Sequence, residues 1–404
     1  MKNELLFTPE GVRDVYGKEC EDRNFITREV GEVFRSFGFG EIQPPTLEFF
    51  NVFNQERGTA DTTEMYKLYD QYNHTLVLRP DMTPSLARFF AKNYSEENMP
   101  VRLFYTGNTF HYRRGYQGKA AEITQLGAEL MNDGSSDADA EMIVMTLRTL
   151  KKLSLKDFKI DIGHVEFIHG LMEESGFDQE EEEEYRKLLA NKNLFGVEEM
   201  VNHKELSREL KELLIQLPDL FGGKETLAFA RERVNNQRSV DALQRLETLY
   251  DILNMYHCED YITFDLSMMA RFHYYTGTIF KAYTYGTGEA IATGGRYDHL
   301  IRQFGKDAPA VGVAIVMDAL LDALKTQSIH FHREPQGALI LYHSKDREMA
   351  VKRGQEYREQ GEAAILMRYD ENLSKDEYET YLKMSNLKRM EIIHDGEIDV
   401  KEPE

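Results

Sequence analysis

Hydrophobic positions along the first part of the chain predict helices alternating with strands. Apolar residues recur at helical spacing between residues 19 and about 37, and Gly38 and Gly40 then end the helix before an extended segment. Residues 101–114 and 120–132 are β-rich runs joined by a polar loop that contains glycine. They predict a long antiparallel hairpin whose alternate side chains face opposite sides of a sheet. A helix over 137–153 and the strand "FKIDIGH" follow.

After Glu166 the pattern changes, and residues 167–257 are strongly charged with helical periodicity. We interpret this stretch as an α-helical insertion. Its run of acidic residues from Glu180 to Glu184 allows two interpretations, a solvated helix face or a site for a metal or a basic partner. The solvated face is favoured because no histidine or turn chemistry accompanies the run.

Strand patterns return at 260–269, 274–285 and 289–295, followed by a predicted helix at 296–304. Residues 308–324 then predict a strand of small residues that leads into a helix. The stretch 330–336 is typical of a linker, although its His-x-His could bind a metal; without carboxylates at suitable spacing, the linker is favoured. From 337 to 404 the pattern alternates strand and helix, which predicts a small α/β domain with a mostly parallel sheet.

The predicted organisation is thus a body over 1–325 with an insertion at about 167–257, a linker at 326–336 and a domain at 337–404. A chain of 404 residues is long enough for two or three domains. It has no apolar run long enough to span a membrane, and its start has no signal-peptide pattern. Cys20 and Cys258 lack metal-binding spacing, which suits a reducing cytoplasm and predicts neither a disulfide nor a metal site. The net charge of −21 argues mildly against nucleic acid as a partner.

Several segments, in order, resemble the histidyl-tRNA synthetase family of class II aminoacyl-tRNA synthetases. They are "FGFGEIQPPTLE" (37–48), like motif 1 at the dimer interface; "LVLRPDMT" (76–83), like L-R-P-E-x-T; "FYTGNTFHYRRGYQGKAAEITQLGAE" (104–129), like motif 2; "MARFHYYTGTIF" (269–280), like R-G-L-D-Y-Y-x-x-T-x-F; and "ATGGRYDHL" with "PAVGVAIVMDAL", like the following histidine-site strand and motif 3. The resemblance spans about residues 8–325, with a weaker match in the C-terminal domain. It implies an α+β fold, in which helices flank an antiparallel sheet.

The resemblance implies a histidine pocket that is almost intact. Its contacts map to Asp81 (Glu in the family), Thr83, Gln125, Glu129, Tyr274, Tyr275 and Tyr297. Carboxylates, amides and phenol oxygens suit an ammonium and an imidazole. Gln125 and Glu129 are an even number of residues apart, so both can face one pocket. Structural alternatives stay open: Asp81 pairing with Arg79, a buried polar network, and tyrosines that serve only as core aromatics.

The resemblance also implies that the arginines that hold ATP are lost. In motif 2 the arginine position is His111 and the glutamate position is Arg113. The arginine of the histidine signature aligns with Ala270, and that of motif 3 aligns with Ala319. Contacts of His111, Arg113 or Arg271 with a phosphate or carboxylate remain possible. For Arg271, its offset of one strand position argues against entry into the site.

A synthetase-like body that keeps the histidine pocket without these arginines resembles the ATP phosphoribosyltransferase regulatory subunits, a paralogous group of this family. The resemblance implies a non-catalytic subunit whose partners are the short-form catalytic subunit, L-histidine as effector and a second copy of the chain. It implies no membrane, no cofactor or metal of its own, and argues against tRNA. The alternatives are a divergent histidyl-tRNA synthetase that activates histidine with ATP, and a module that binds RNA or another protein.

Overall fold

The computed structural model describes residues 6–53, 62–112, 120–269, 274–331 and 335–402. Two compact units divide the chain, Met1–Ile329 and His330–Glu404. Within the described ranges no helix combines the length and the apolar character needed to cross a membrane.

The first unit contains ten helices and twelve strands among its described residues. The helices are α1 Gly17–Ser36, α2 Thr83–Asn93, α3 Ser136–Lys152, α4 Val165–Ser175, α5 Gln179–Ala190, α6 Leu194–Asn202, α7 Arg208–Gln216, α8 Lys224–Arg231, α9 Gln237–Met255 and α10 Met317–Thr326. The strands are β1 Gly40–Glu41, β2 Leu47–Phe49, β3 Lys67–Tyr69, β4 Thr75–Leu78, β5 Val101–Phe110, β6 Glu122–Met131, β7 Phe158–His164, β8 Phe221–Gly222, β9 Ile262–Asp265, β10 Thr278–Thr284, β11 Ala292–Arg296 and β12 Ala310–Val316.

Nine of these strands form one sheet in the order β1-β5-β6-β12-β11-β10-β7-β9-β8. Neighbouring strands are antiparallel except for the β1/β5 and β7/β9 pairs, which are parallel. The predicted hairpin is confirmed as β5 and β6, which pair along their whole length from Val101↔Met131 to Phe110↔Glu122. Helices α1, α3 and α10 contact the central strands. The predicted α+β fold, a largely antiparallel sheet flanked by helices, is therefore confirmed.

The sequence pattern misplaces two elements near the C-terminal end of this unit. The helix predicted at 296–304 is wrong: β11 continues to Arg296, and only a short 3₁₀ turn, Ile301–Phe304, follows. Leu300, Ile301 and Phe304 imitate a helical stripe, but Gly305 ends the turn at φ +98°. The strand predicted from Tyr274 begins only at Thr278. The tyrosine pair therefore lies in the segment that leads into β10.

Residues 165–255 form six consecutive helices, α4 to α9, interrupted by the two-residue strand β8. The acidic run lies on α5, where Glu182 pairs with Arg186 at 2.6 Å and Glu183 with Lys187 at 2.7 Å. These are surface pairs of the i,i+4 type, typical of a solvated helix. No group of three potential metal ligands is found within the described residues.

The second unit is a small α/β domain. Its elements are β13 Ala338–Tyr342, α11 Arg347–Glu359, β14 Ala364–Arg368, α12 Lys375–Met384, β15 Arg389–His394 and β16 Glu397–Lys401. The strand order is β14-β13-β15-β16, parallel except for the final antiparallel β16. The fully buried Glu391 on β15 accepts two hydrogen bonds of 2.9 Å from the Arg353 guanidinium and one of 2.5 Å from Tyr357. The α/β pattern predicted for this part of the chain agrees with these elements.

Candidate functional site

A single cavity of about 540 Å³ in the first unit is lined by every residue that the histidine-pocket resemblance singles out. These residues are Asp81, Thr83, Gln125, Glu129, Tyr274, Tyr275 and Tyr297. They come from the N-terminal end of α2, from β6, from the segment before β10 and from the residue after β11. Segments far apart in sequence thus converge on one side of the sheet.

Strand alternation explains why β6 contributes two polar side chains to the cavity. Gln125 and Glu129 are four residues apart, and both line the cavity as their spacing predicts. On the neighbouring strand β12, Glu129 is opposite Gly312 and Gln125 is opposite Val316, and both partners also line the cavity. The site therefore lies on one face of the central strands.

Glycines on the central strands leave space for the side chains packed against them, a feature that the sequence analysis missed. A Cβ atom on Gly312 would overlap the carboxylate of Glu129, and one on Gly127 would overlap the hydroxyl group of Tyr105. At Gly295 a Cβ atom would come within 2.8 Å of the Tyr275 ring. The signal in the sequence was glycine inside otherwise regular strands, which often marks a close approach of another group to the backbone.

Glu129 is the most deeply buried acid of the cavity, with 1% of its surface exposed. Thr83 donates a hydrogen bond to its Oε1 at 2.8 Å, and the Tyr297 hydroxyl donates to its Oε2 at 2.6 Å. Burial raises the pKa of Glu129 to about 8, since these two hydrogen bonds only partly offset the desolvation of the charged form, and the nearby Asp81 raises it further. The carboxyl group is therefore largely protonated at neutral pH in the unliganded protein.

Asp81 forms the second acidic group of the cavity. It accepts a hydrogen bond of 2.7 Å from the backbone N–H of Met82 and one of 3.1 Å from the Tyr274 hydroxyl. The guanidinium of the buried Arg79 donates to backbone carbonyls instead, at 2.6 Å to Pro44 and 2.8 Å to Asn108. Pairing of Asp81 with Arg79, the structural alternative, is therefore not how this arginine is satisfied.

Gln125 brings a further hydrogen-bond acceptor to the cavity. Its side-chain oxygen is buried and, within the described residues, has no hydrogen-bond partner. An unsatisfied buried amide costs about 1–3 kcal/mol, so such a group calls for an explanation. Because Gln125 lines the cavity, a ligand that donates an N–H or O–H there would satisfy this oxygen.

Aromatic rings enclose one side of the cavity. The rings of Tyr274 and Tyr275 lie 4.9 Å apart, and those of Tyr274 and Tyr297 meet edge to face at 5.8 Å. Tyr274 and Tyr297 are almost completely buried. They therefore contribute to the core and present their hydroxyl groups to Asp81 and Glu129, so a role in the core is compatible with contact to a ligand.

The structure describes only some of the residues at or next to the positions where the family has its ATP-binding arginines. His111 is buried and lines the cavity. Ala319 lies on α10, half-buried, and brings no charge. Arg113, Ala270 and Arg271 lie outside the described residues. Lys281 on β10 also lines the cavity, a cation that the sequence analysis did not single out.

Taken together, the buried part of the cavity offers the carboxyl groups of Glu129 and Asp81, the amide oxygen of Gln125 and phenol hydroxyls beside an aromatic wall, and Glu64 and Glu289 also line the cavity. Such a set suits a small ligand that combines a cationic amine with a ring carrying N–H groups.

Comparison with known proteins shows the family to which the chain belongs. A family model described as histidyl-tRNA synthetase matches residues 11–320. The ATP phosphoribosyltransferase regulatory subunit of Acetivibrio thermocellus is 37% identical over 356 residues, which cover 88% of this chain and 85% of the relative. That of Clostridium kluyveri is 35% identical over 390 residues, 96% of this chain and 100% of the relative.

Solved structures show the same fold. An ATP phosphoribosyltransferase regulatory subunit/histidyl-tRNA synthetase from Bacillus halodurans C superposes with a TM-score of 0.83 at 31% identity, covering 93% of this chain and 96% of that one. A histidyl-tRNA synthetase from Nostoc sp. PCC 7120 shares the fold, with a TM-score of 0.80 at 19% identity and coverage of 98% and 94%. The chain belongs to the histidyl-tRNA synthetase family and, within it, to the ATP phosphoribosyltransferase regulatory subunits.

Proposed function

We propose that this chain binds L-histidine in the cavity without activating it and transmits its binding to a short-form ATP phosphoribosyltransferase catalytic subunit. The complex joins ATP to phosphoribosyl pyrophosphate, the first step of histidine biosynthesis. The short catalytic subunit needs this chain for activity, and histidine acts as the effector that suppresses it. The chain uses no cofactor of its own in this role.

The observation that supports this proposal most strongly is the acceptor-rich end of the cavity. The ammonium group of histidine matches the carboxylates of Glu129 and Asp81, and an imidazole N–H matches the Gln125 side-chain oxygen, which accepts no hydrogen bond from any residue that the structure describes. Feedback by an end product requires a site whose occupancy is coupled to a distant catalytic site. A histidine site that does not consume its ligand suits that role.

The motif positions support binding without activation. In related synthetases arginines would stabilise the charge that develops when ATP reacts, whereas here one described position is His111 and another is Ala319. Removing one such contact typically costs about 3–4 kcal/mol in the transition state, and losses at several positions suppress the reaction together. A divergent synthetase is therefore the weaker candidate.

We also propose that the chain forms a homodimer through the segment that resembles motif 1. This segment leads into β2, where Leu47 and Phe49 are 48% and 55% exposed. Large apolar side chains exposed side by side on a strand are typical of an interaction surface. The net charge of −21 weighs against tRNA as a further partner.

One experiment separates the two candidate functions. The purified chain is mixed with a short-form catalytic subunit, and phosphoribosyl-ATP formation is followed with and without histidine. We expect activity that depends on the added chain and falls when histidine is present. Lack of stimulation, together with histidine-dependent ATP–pyrophosphate exchange by the chain alone, would favour the synthetase.

A further inference from the structure

An ion cluster around a buried carboxylate lies on the opposite face of the sheet from the cavity. At its centre is Asp139 on α3, with no exposed surface. Arg296 at the end of β11 approaches its Oδ1 at 2.6 Å, and Arg245 on α9 approaches its Oδ2 at 2.8 Å. Thr278 on β10 donates to the same Oδ2 at 2.9 Å. One carboxylate therefore joins the main sheet to the helical segment 165–255.

Both arginines also bind the turn that precedes α3. Arg296 donates to the backbone carbonyls of Asp133 at 2.9 Å and Ser135 at 3.1 Å. Arg245 donates to the carbonyls of Gly134 at 3.0 Å and Ser135 at 2.9 Å. These additional hydrogen bonds satisfy the guanidinium groups and fix their geometry, so displacement of one arginine disturbs the environment of the other.

The cluster is one residue from the cavity. Arg296 and Tyr297 are consecutive, and in extended chain consecutive side chains point to opposite faces. Arg296 therefore reaches the buried cluster, while Tyr297 reaches the cavity and donates to Glu129. The backbone carbonyl of Arg296 also accepts a hydrogen bond of 2.8 Å from the N–H of Thr276, next to the tyrosine pair.

We propose that Arg245, Asp139 and Arg296 couple the helical segment 165–255 to the occupancy of the cavity. Arg296 is a positioning residue in this scheme, since it holds the backbone that presents Tyr297 to Glu129. A ligand that contacts Glu129 restricts the motion of this backbone. The ion pairs of Arg296 and Arg245 with Asp139 extend the restriction to α9. The inference rests on the proposed function. It identifies the helical segment as the part of the chain that responds when histidine binds in the cavity.

The test measures amide hydrogen exchange of the full chain with and without histidine, in the wild type and in Arg245→Gln. This variant leaves Asp139 paired with Arg296, so no buried charge loses its last partner. The matched control is Arg238→Gln on the same helix, because Arg238 pairs with Glu166 and Glu173 inside the helical segment. Arg245→Lys, which keeps the charge, covers the case in which Arg245→Gln fails to fold.

We expect histidine to slow exchange in α9 of the wild type and of Arg238→Gln, and to have no such effect in Arg245→Gln. Histidine affinity of Arg245→Gln should fall roughly 2- to 30-fold, the range of coupling changes from residues outside a binding site. Arg245→Lys should lose histidine affinity to a smaller extent than Arg245→Gln.

Two results would contradict parts of this scheme separately. If histidine does not bind the wild-type chain, the proposed function itself fails. If histidine binds but leaves α9 exchange unchanged, or still slows it in Arg245→Gln, the proposed function stands and the coupling inference is overturned.

Discussion

The carboxyl group of Glu129 should make histidine binding depend on pH. In the unliganded cavity burial raises its pKa to about 8, so at pH 7 the group is largely protonated. A bound ammonium group favours the ionised carboxylate, which must then release its proton. Binding should therefore strengthen as the pH rises towards 8, the direction expected for an acid that binds in its charged form.

The size of this effect follows from the pKa. Each pH unit below the pKa of a group costs about 1.4 kcal/mol to ionise it, which is a factor of about ten in affinity. Free imidazole loses its own proton near pH 6.5. Between about pH 6.5 and 8 the ionised fraction of the carboxyl group rises from roughly 3% to 50%, so the association constant should rise about 15-fold over this range, and above it the association constant should level off.

Replacing Glu129 by Gln removes the titrating group while nearly keeping its shape. The pH dependence should disappear, and affinity at pH 8 should fall by roughly 10- to 100-fold, because a hydrogen bond to a charged group contributes about 1.5–3 kcal/mol. Asp161→Asn is the matched control. Asp161 is a half-buried acid of the same unit, its pKa is raised by burial to about 6, and it does not line the cavity.

Isothermal titration calorimetry in two buffers with different ionisation enthalpies measures both quantities. At pH 7 the wild type and Asp161→Asn should release close to one proton per histidine bound, and Glu129→Gln should release none. Affinity that stays constant from pH 6.5 to 8, with no proton release by the wild type, would refute the reasoning about Glu129.

Three further changes test other parts of the structure. Gln125→Ala should weaken histidine binding by roughly 2- to 12-fold, the effect of about 0.5–1.5 kcal/mol from a neutral hydrogen bond, and unchanged calorimetric affinity would place the ligand elsewhere. Gly312→Ala should abolish histidine binding because the added Cβ overlaps the carboxylate of Glu129. Gly288 lines the same cavity but has open space around it, so Gly288→Ala should bind histidine normally. Arg353→Met should destabilise the C-terminal unit by about 3–5 kcal/mol in urea denaturation because a buried carboxylate loses its partner, while Lys345→Met, which removes a surface pair, should change stability by less than about 1 kcal/mol.

The sequence predicted the main architecture because long amphipathic patterns carry it. The hairpin of β5 and β6 follows from two β-rich runs joined by a polar loop that contains glycine, and β7 follows from the alternation of its apolar residues. The helix predicted at 296–304 was wrong because three apolar residues near a turn imitate one face of a helix. A run that short does not distinguish a 3₁₀ turn from an α-helix.

The candidate site was predictable as a set of residues but not as a geometry. The resemblance named the side chains, and the spacing of Gln125 and Glu129 placed two of them on one face. The pKa of Glu129, however, depends on burial by segments distant in sequence. The buried Asp139 cluster depends on α9 folding back against α3, and no local pattern indicates that contact.

The most direct test of the account is the histidine inhibition of the complex reconstituted from this chain and a short-form catalytic subunit. Phosphoribosyl-ATP formation at pH 8 is measured against histidine concentration, with the wild-type chain and with Glu129→Gln. We expect equal stimulation of the catalytic subunit without histidine, and we expect the variant to shift the inhibition curve at least about tenfold to higher histidine. Identical inhibition curves would contradict it, because they would place the regulatory histidine outside this cavity.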